Sequence, residues 1–416
     1  MTARSESKVF YGWIVVAAAF VCLFISVGFL FYSYAVFLPV LSEEFDGHRF
    51  GPSLCLAVMN ASVGLFAPFL GRALERGGIR KYMTLGAISM GVGFVLLSQI
   101  SAVWQMFFIF ATFLGVGASM VGQLPSSTLV SNWFAQKRGM ALGIATMGIS
   151  LSGVVMVPIT SMMIEAMGWR NTFLAFGGVA FIVVLPVVRL LVVGRPEDMG
   201  LQPDALYTQD ESRLPESPSD TVLWRTRDSL RNRDFWVMTM LIAFNFFCMS
   251  GTLIHMPAYG RDLGFTLGQA GFALSTGAAV GVFGKVVFGY IADRMDTRFA
   301  MFLAMAFQAL AVFLLPGVAS YPALLAVGGL FGLGMGGIVP LWGSFVGEYF
   351  GRMSFGRIMG LMSPFMVPVQ VSGVPFAGFM FDRTQSYTTV FRVYLGVYIC
   401  TAFLLLLLNK PSRRHG

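Results

Sequence analysis

Charge is what this chain has least of. Only 12% of its 416 residues are Asp, Glu, Lys or Arg, about half the roughly 25% of soluble proteins. Hydrophobic residues reach 56% with 48 glycines left uncounted. No soluble core can absorb that much apolar surface and leave enough charge to cover the outside. The composition excludes soluble domains and describes an integral membrane protein. Histidine is nearly absent as well, and His48, His255 and His415 are scattered. No acid pair or nucleophile–base set converges, so an enzyme is not expected. The four cysteines, Cys22, Cys55, Cys248 and Cys400, lie in apolar runs without metal-ligand spacing and read as small packing residues. A GxxxxGK[ST] phosphate loop is missing, which excludes an ATP-driven pump. No cofactor, metal or nucleic-acid module is expected.

What the chain does have is long uncharged runs. They cover 9–42, 50–71, 82–136, 139–164 and 171–188, then 235–260, 263–284, 299–347, 358–381 and 393–409. A spanning helix takes about 20 apolar residues. The runs at 82–136 and 299–347 are long enough for two spans each, so each half supplies six helices in the same order of run lengths. Continuous apolar stretches, in place of short alternating ones, exclude a β-barrel. Run 9–42 is too long for a cleaved signal peptide and leads straight into the repeat described below.

Twenty-two of the 28 basic residues fall on one face when the N-terminus is placed inside, and five on the other: Arg49, Arg170, Arg261, Arg383 and Arg392. The positive-inside rule therefore puts both termini in the cytoplasm. The net charge of +8 reflects loops facing anionic lipid. One basic residue, Lys285, belongs to neither face because it lies within a helix.

Residues 194–234 form the one long polar segment, rich in Pro, Ser and acidic residues, and read as a linker. It separates an N-terminal six-helix bundle (1–193) from a C-terminal bundle with a short tail (235–416). The halves repeat: GRALERGGIR at 71–80 aligns with GYIADRMDTR at 289–298, pairing Gly71 with Gly289, Glu75 with Asp293, Arg76 with Arg294 and Arg80 with Arg298. NWF at 132–134 likewise matches EYF at 348–350, each followed by a basic patch that opens the next helix (Arg138, Arg357). Duplicated bundles of this kind build many secondary transporters, with substrate held between the repeats.

The repeated G-x-x-x-(D/E)-R loop resembles the signature of the major facilitator superfamily. YGWIVVAAAF at 11–20, NWFAQKRGMALGI at 132–144, GWRNTF at 168–173 and RPEDMGLQPD at 195–204 are similar to the bacterial branch holding monocarboxylate transporters and oxalate/formate exchangers. The resemblance covers essentially the whole chain. It implies an all-α fold of twelve transmembrane helices in two pseudo-symmetric bundles, alternating access, a functional monomer and a bacterial inner membrane. It also implies that Gly71, Glu75, Arg76, Arg80, Arg138, Gly289, Asp293, Arg294 and Arg357 form a cytoplasmic gate. The plainer alternative is a set of positive loops that only set topology.

Lys285 is the most informative single residue. An ammonium within a spanning helix costs roughly 2.5–3.5 kcal/mol on insertion scales and is a functional residue by default. The alternative is snorkelling toward the interface, since Asp293 is only eight residues on. The resemblance supplies a role: related monocarboxylate transporters carry an Arg at this position that binds the substrate carboxylate. Lys is a point charge without the guanidinium fork. The mammalian members pair their Arg with an Asp one turn earlier, where this chain has Gly281. No Asp or Glu sits deep in any apolar run, which leaves His255 as the protein's candidate for coupling to a proton. The second Lys that dicarboxylate exchangers carry on helix 11 is lacking, and a single buried cation favours a monovalent anion.

Tyr32, Tyr34, Gln123, Asn245, Trp342 and Gln370 are the further candidates for the substrate pathway, each with helix–helix hydrogen bonding as its alternative. Pro158 on helix 5, and Pro364, Pro368 and Pro375 on helix 11, mark bends. A channel is disfavoured by the latch repeat and by the lack of charged rings. A solute sensor signalling through 194–234 is a remote third class. The expectation is a transporter of a small monocarboxylate such as lactate or pyruvate with proton symport, the alternative being exchange of oxalate, formate or another dicarboxylate.

Overall fold

A computed structural model describes residues 10–45, 48–75, 78–134, 138–202, 226–350 and 355–408. A chain crossing lipid must pair its backbone polar groups internally, and twelve helices do so among these residues. The first half holds α1 (Gly12–Glu44), α2 (Phe50–Glu75), α3 (Ile79–Leu97) and α4 (Val103–Trp133). The 52-residue stretch Met140–Leu191 bends at Gly168, whose φ of 79° is left-handed and suits glycine. It therefore divides into α5 (138–167) and α6 (169–191). The second half holds α7 (Arg233–Asp262), α8 (Leu267–Arg294), α9 (Thr297–Leu314), α10 (Tyr321–Phe350), α11 (Phe355–Thr384) and α12 (Tyr387–Leu407). Ten stretches are long and apolar enough to cross a membrane, with α5 and α6 counted as one. α3, which opens on Arg80 and Lys81, is not among the ten. Of the expected linker, 203–225 lies outside the described residues. Its flanks form a turn at Pro196–Met199 and a short helix at Thr226–Arg231.

Small residues bring the second-half helices close together. A Cβ on Gly332 of α10 would overlap the Gly277 carbonyl of α8, and one on Gly336 would overlap that of Gly281. This seam holds α8 against α10 by backbone approach, as small residues do in bilayers. It also explains Gly281. A Cβ there would stand 3.0 Å from the Gly332 carbonyl oxygen, so a side chain is admitted only if α10 gives way.

The two halves meet unequally at their two ends. Phe29, Phe94, Phe173 and Phe176 of the first half belong to one continuous apolar core with Ile254, Tyr259, Leu274, Phe331 and Phe391 of the second. A separate core of Phe235, Phe288, Met301, Phe345, Phe350 and Met362 lies within the second half alone, toward the basic loops. The bundles are thus sealed together at the face carrying the 1–2, 5–6, 7–8 and 11–12 turns. At the opposite, basic face the described apolar residues of the two halves fall in separate cores.

Candidate functional site

Between the bundles lies a cavity of about 410 Å³ lined by α1, α2, α4 and α5 on one side and α7, α8, α10 and α11 on the other. Two backbone irregularities shape its first-half wall. α1 loosens into a π-helical turn at Gly28–Tyr32, a feature frequent at functional sites, and this turn delivers Leu30, Phe31 and Tyr32 to the cavity. α4 breaks at Gly122, where ψ is −147°, and the restarted helix begins with Gln123, which also lines the cavity.

Lys285 is the one charged residue among the described lining residues. Its Nζ donates to Ser150 Oγ of α5, so the ammonium points across the interface between bundles and not along α8 toward the membrane surface. Its neighbours are neutral: Ser26, Tyr32, Asn60 and Gln123 from the first half, Ser250 and Gln370 from the second. Asn60 spends its amide nitrogen on the Leu56 carbonyl of its own helix, 2.8 Å away, and its oxygen is the end left for other partners. Phe246, Met249, Leu253 and Met335 supply apolar wall. A cation held by one hydroxyl among neutral side chains offers the cavity a single positive charge.

Of the sequence-predicted site residues, Lys285, Tyr32, Gln123 and Gln370 come together here. Tyr34, Asn245 and Trp342 do not line the cavity. Two residues past Tyr32 in a helix is the far side of the turn, and Tyr34 packs edge-on against Phe110 at 5.0 Å and donates to the Pro52 carbonyl at 2.6 Å. Asn245 is fully buried with no partner for its amide among the described residues, and the Trp342 Nε1 likewise has none among them. Trp342 packs against Phe246 at 6.1 Å, behind the cavity wall.

His255 sits in the seal that closes the cavity at the non-basic face. Its Nε2 lies 3.0 Å from the Val374 carbonyl and 3.2 Å from Ser53 Oγ, and its Nδ1 lies 2.7 Å from the Tyr387 hydroxyl. The carbonyl requires the proton on Nε2, so Nδ1 accepts from Tyr387. Tyr387 in turn accepts from Arg49 Nη1 at 2.8 Å, and Arg49 forks onto Asp262 at 2.5 and 2.8 Å. Arg49 and Ser53 belong to the first half, and Asp262, His255, Val374 and Tyr387 to the second. Burial opposes the Arg49 charge, yet the Tyr387 hydroxyl and the Asp262 carboxylate outweigh it and push the guanidinium pKa up. Its face also lies 3.8 Å from the Phe381 ring centroid, a favourable cation–π distance. Sequence reasoning missed this cluster, although Arg49 was one of only five basic residues on its face.

At the basic face, a Cβ on Gly71 or Gly289 would meet nothing within 4 Å. Arg80 donates to the Val192 carbonyl of its own bundle and Arg294 lies over Tyr290 of its own helix. Neither reaches the other half among the described residues. Arg76 and the side chains of Glu75, Arg138, Asp293 and Arg357 lie outside the described residues. The described contacts close the cavity at the non-basic face.

Two bundles around a central cavity with one sealed face are the architecture of a membrane transporter. The family model for the Major Facilitator Superfamily matches residues 19–363 and 285–416, and the chain belongs to that superfamily. Relatives include monocarboxylate transporter 12 of Mus musculus, 25% identical over 342 residues covering 77% of this chain and 70% of that protein. Monocarboxylate transporter 2 of Homo sapiens is 24% identical over 97% of this chain and 86% of its own. An MFS-type transporter of Gibberella moniliformis is 27% identical over 93% of this chain and 87% of that one. A solved bacterial homologue of the human lysosomal transporter Spinster, inward-facing and occupied, shares the fold with a TM-score of 0.69. It is 13% identical, and the match covers 97% of this chain and 96% of that one.

Proposed function

We propose that this transporter carries a small monocarboxylate, of the size of lactate or pyruvate, with proton symport. The observation that supports it is Lys285: one cation in a cavity whose other described lining residues are neutral is balanced by one carboxylate and leaves a dicarboxylate with an uncompensated charge. The apolar wall at Phe246, Met249 and Met335 suits the short carbon skeleton of such an acid. The named relatives that are monocarboxylate transporters agree with this reading. The basic face is cytoplasmic in this proposal, in a multi-pass arrangement in a bacterial inner membrane. The bundles are divided at 1–193 and 235–416 about the linker 194–234.

Proteoliposome uptake of labelled lactate, formate and oxalate tests it, run with and without a pH gradient and with and without internal anion. Lactate uptake stimulated by an inward acid gradient is the expected result. Dependence on internal anion selects exchange, and uptake of oxalate over lactate selects the dicarboxylate reading. Lys285→Gln is expected to abolish uptake while the protein still inserts and purifies. Wild-type uptake by that variant would remove the central assignment. His255, hydrogen-bonded within the seal, can exchange a proton with the outer medium only when the seal opens, which fits a coupling role for it at the outer step.

A further inference from the structure

The sealed face is built twice. The first N–H groups of a helix have no partner within it, and in two helices here they are taken by a carboxylate of the opposite bundle. At the start of α2, Asp382 from the end of α11 accepts from the backbone N–H of Arg49 at 2.8 Å and of Phe50 at 3.0 Å. At the start of α8, Glu165 from the end of α5 accepts from the N–H of Gly268 at 3.0 Å. Phe50 and Gly268 are 218 positions apart, and Glu165 and Asp382 are 217 apart. The cytoplasmic loop motif repeats at the same spacing. Glu43 and Arg261, also 218 apart, pair with each other across the two bundles at 2.8 Å. The contacts at the sealed face therefore recur at the spacing of the sequence repeat.

We infer that Glu165 and Asp382 are paired gate residues, each tying its own bundle to the first turn of the other bundle's helix, and that the route at this face opens when both let go. Two further cross-bundle pairs here, Glu43–Arg261 and His48–Asp382 at 3.8 Å, each have a largely exposed partner and are of the kind worth little. A carboxylate on a helix N-terminus combines charge-assisted hydrogen bonds with the helix dipole and fixes the position of the helix end. The two caps are unequal. Asp382 takes two N–H groups beside the half-buried Arg49–Asp262 fork, whereas Glu165 is exposed and takes one, and Leu267 stands where the α2 cap has Arg49.

The test uses Leu253→Cys as a reporter, because Leu253 lines the cavity and is only 6% exposed. The parent chain without it serves as the background. An impermeant thiol reagent is applied to reconstituted protein from the gate face and, separately, from the basic face. Glu165→Gln is expected to raise gate-face labelling about threefold and the double variant with Asp382→Asn about tenfold or more, equivalent to about 0.7 and 1.4 kcal/mol. Asp382→Asn alone is expected to exceed Glu165→Gln. Labelling from the basic face must fall as gate-face labelling rises. No change at the gate face in the double variant, or a rise at both faces as partial unfolding produces, overturns the proposal. The reciprocal change rests on alternating access. It requires neither a carboxylate substrate nor Lys285, so a failed uptake assay leaves this test standing.

Discussion

At the scale of single residues, position within a turn decides role more sharply than residue type. Tyr32 and Tyr34 are two residues apart and chemically identical, yet only Tyr32 faces the cavity, while Tyr34 is buried against Phe110 with its hydroxyl on Pro52. Tyr34→Phe is therefore expected to lower stability by about 1 kcal/mol, the worth of a buried hydrogen bond, and to leave the KM for uptake unchanged. Tyr32→Phe is expected to change KM with little effect on melting. A KM shift in the first variant and none in the second would reverse the assignment. Lys285 was legible in the sequence because charge within an apolar run is costly enough to need a reason. Asn245 and Trp342 were chosen on the same principle with less force, since a neutral polar group survives burial behind the wall at a far smaller cost.

At the scale of elements, the cavity owes its shape to places where helices depart from regularity or approach closely. The π turn in α1 and the break in α4 aim Tyr32 and Gln123, and the glycine seam sets the distance between α8 and α10. Gly332→Leu is expected to part that seam and lower the melting temperature of the purified protein by several degrees, an overpacking cost of about 1–3 kcal/mol. Gly347→Ala, where an added Cβ meets nothing within 4 Å, is the control and is expected to melt as the parent does. Equal melting of the two variants would deny the seam its structural weight. The glycines themselves were visible in the sequence. Which of them face a carbonyl of α10 was not, because a helix shows the same composition on every face until its partner is known.

At the scale of the whole molecule, the unequal division of the apolar core sets the conformation. One core fuses the bundles at the gate face and a second belongs to the C-terminal bundle alone, so each bundle is expected to move as a body about the sealed end. Spin labels at Met147 on α5 and Val339 on α10 would measure the gap at the cavity. The distance is expected to be long and narrowly distributed in the substrate-free state, and to shorten when saturating lactate is added to the wild type but not to Lys285→Gln. A distance insensitive to every carboxylate tested would argue against substrate-driven closure. On the basic side of this motion, Gly71, Glu75, Arg76, Gly289, Asp293 and Arg294 carry the repeated loop that resembles the superfamily signature. The described gate contacts lie at the other face.

Scarcity of charge and its one-sided distribution along the chain were enough to determine an integral membrane protein, twelve helices, a duplicated architecture and a lysine, Lys285, within an apolar helix. Each of these follows from the cost of moving charge or an unpaired peptide group into hydrocarbon, which acts on local sequence and can be read residue by residue. Only the tertiary structure decided which polar side chains share the cavity with Lys285, that Ser150 holds its ammonium, and that Arg49, Asp262, His255 and Tyr387 form one seal. Those contacts join residues separated by a hundred to more than three hundred positions. Their partners are set by how two bundles dock, and docking depends on helix rotation and approach distances that composition and periodicity leave open.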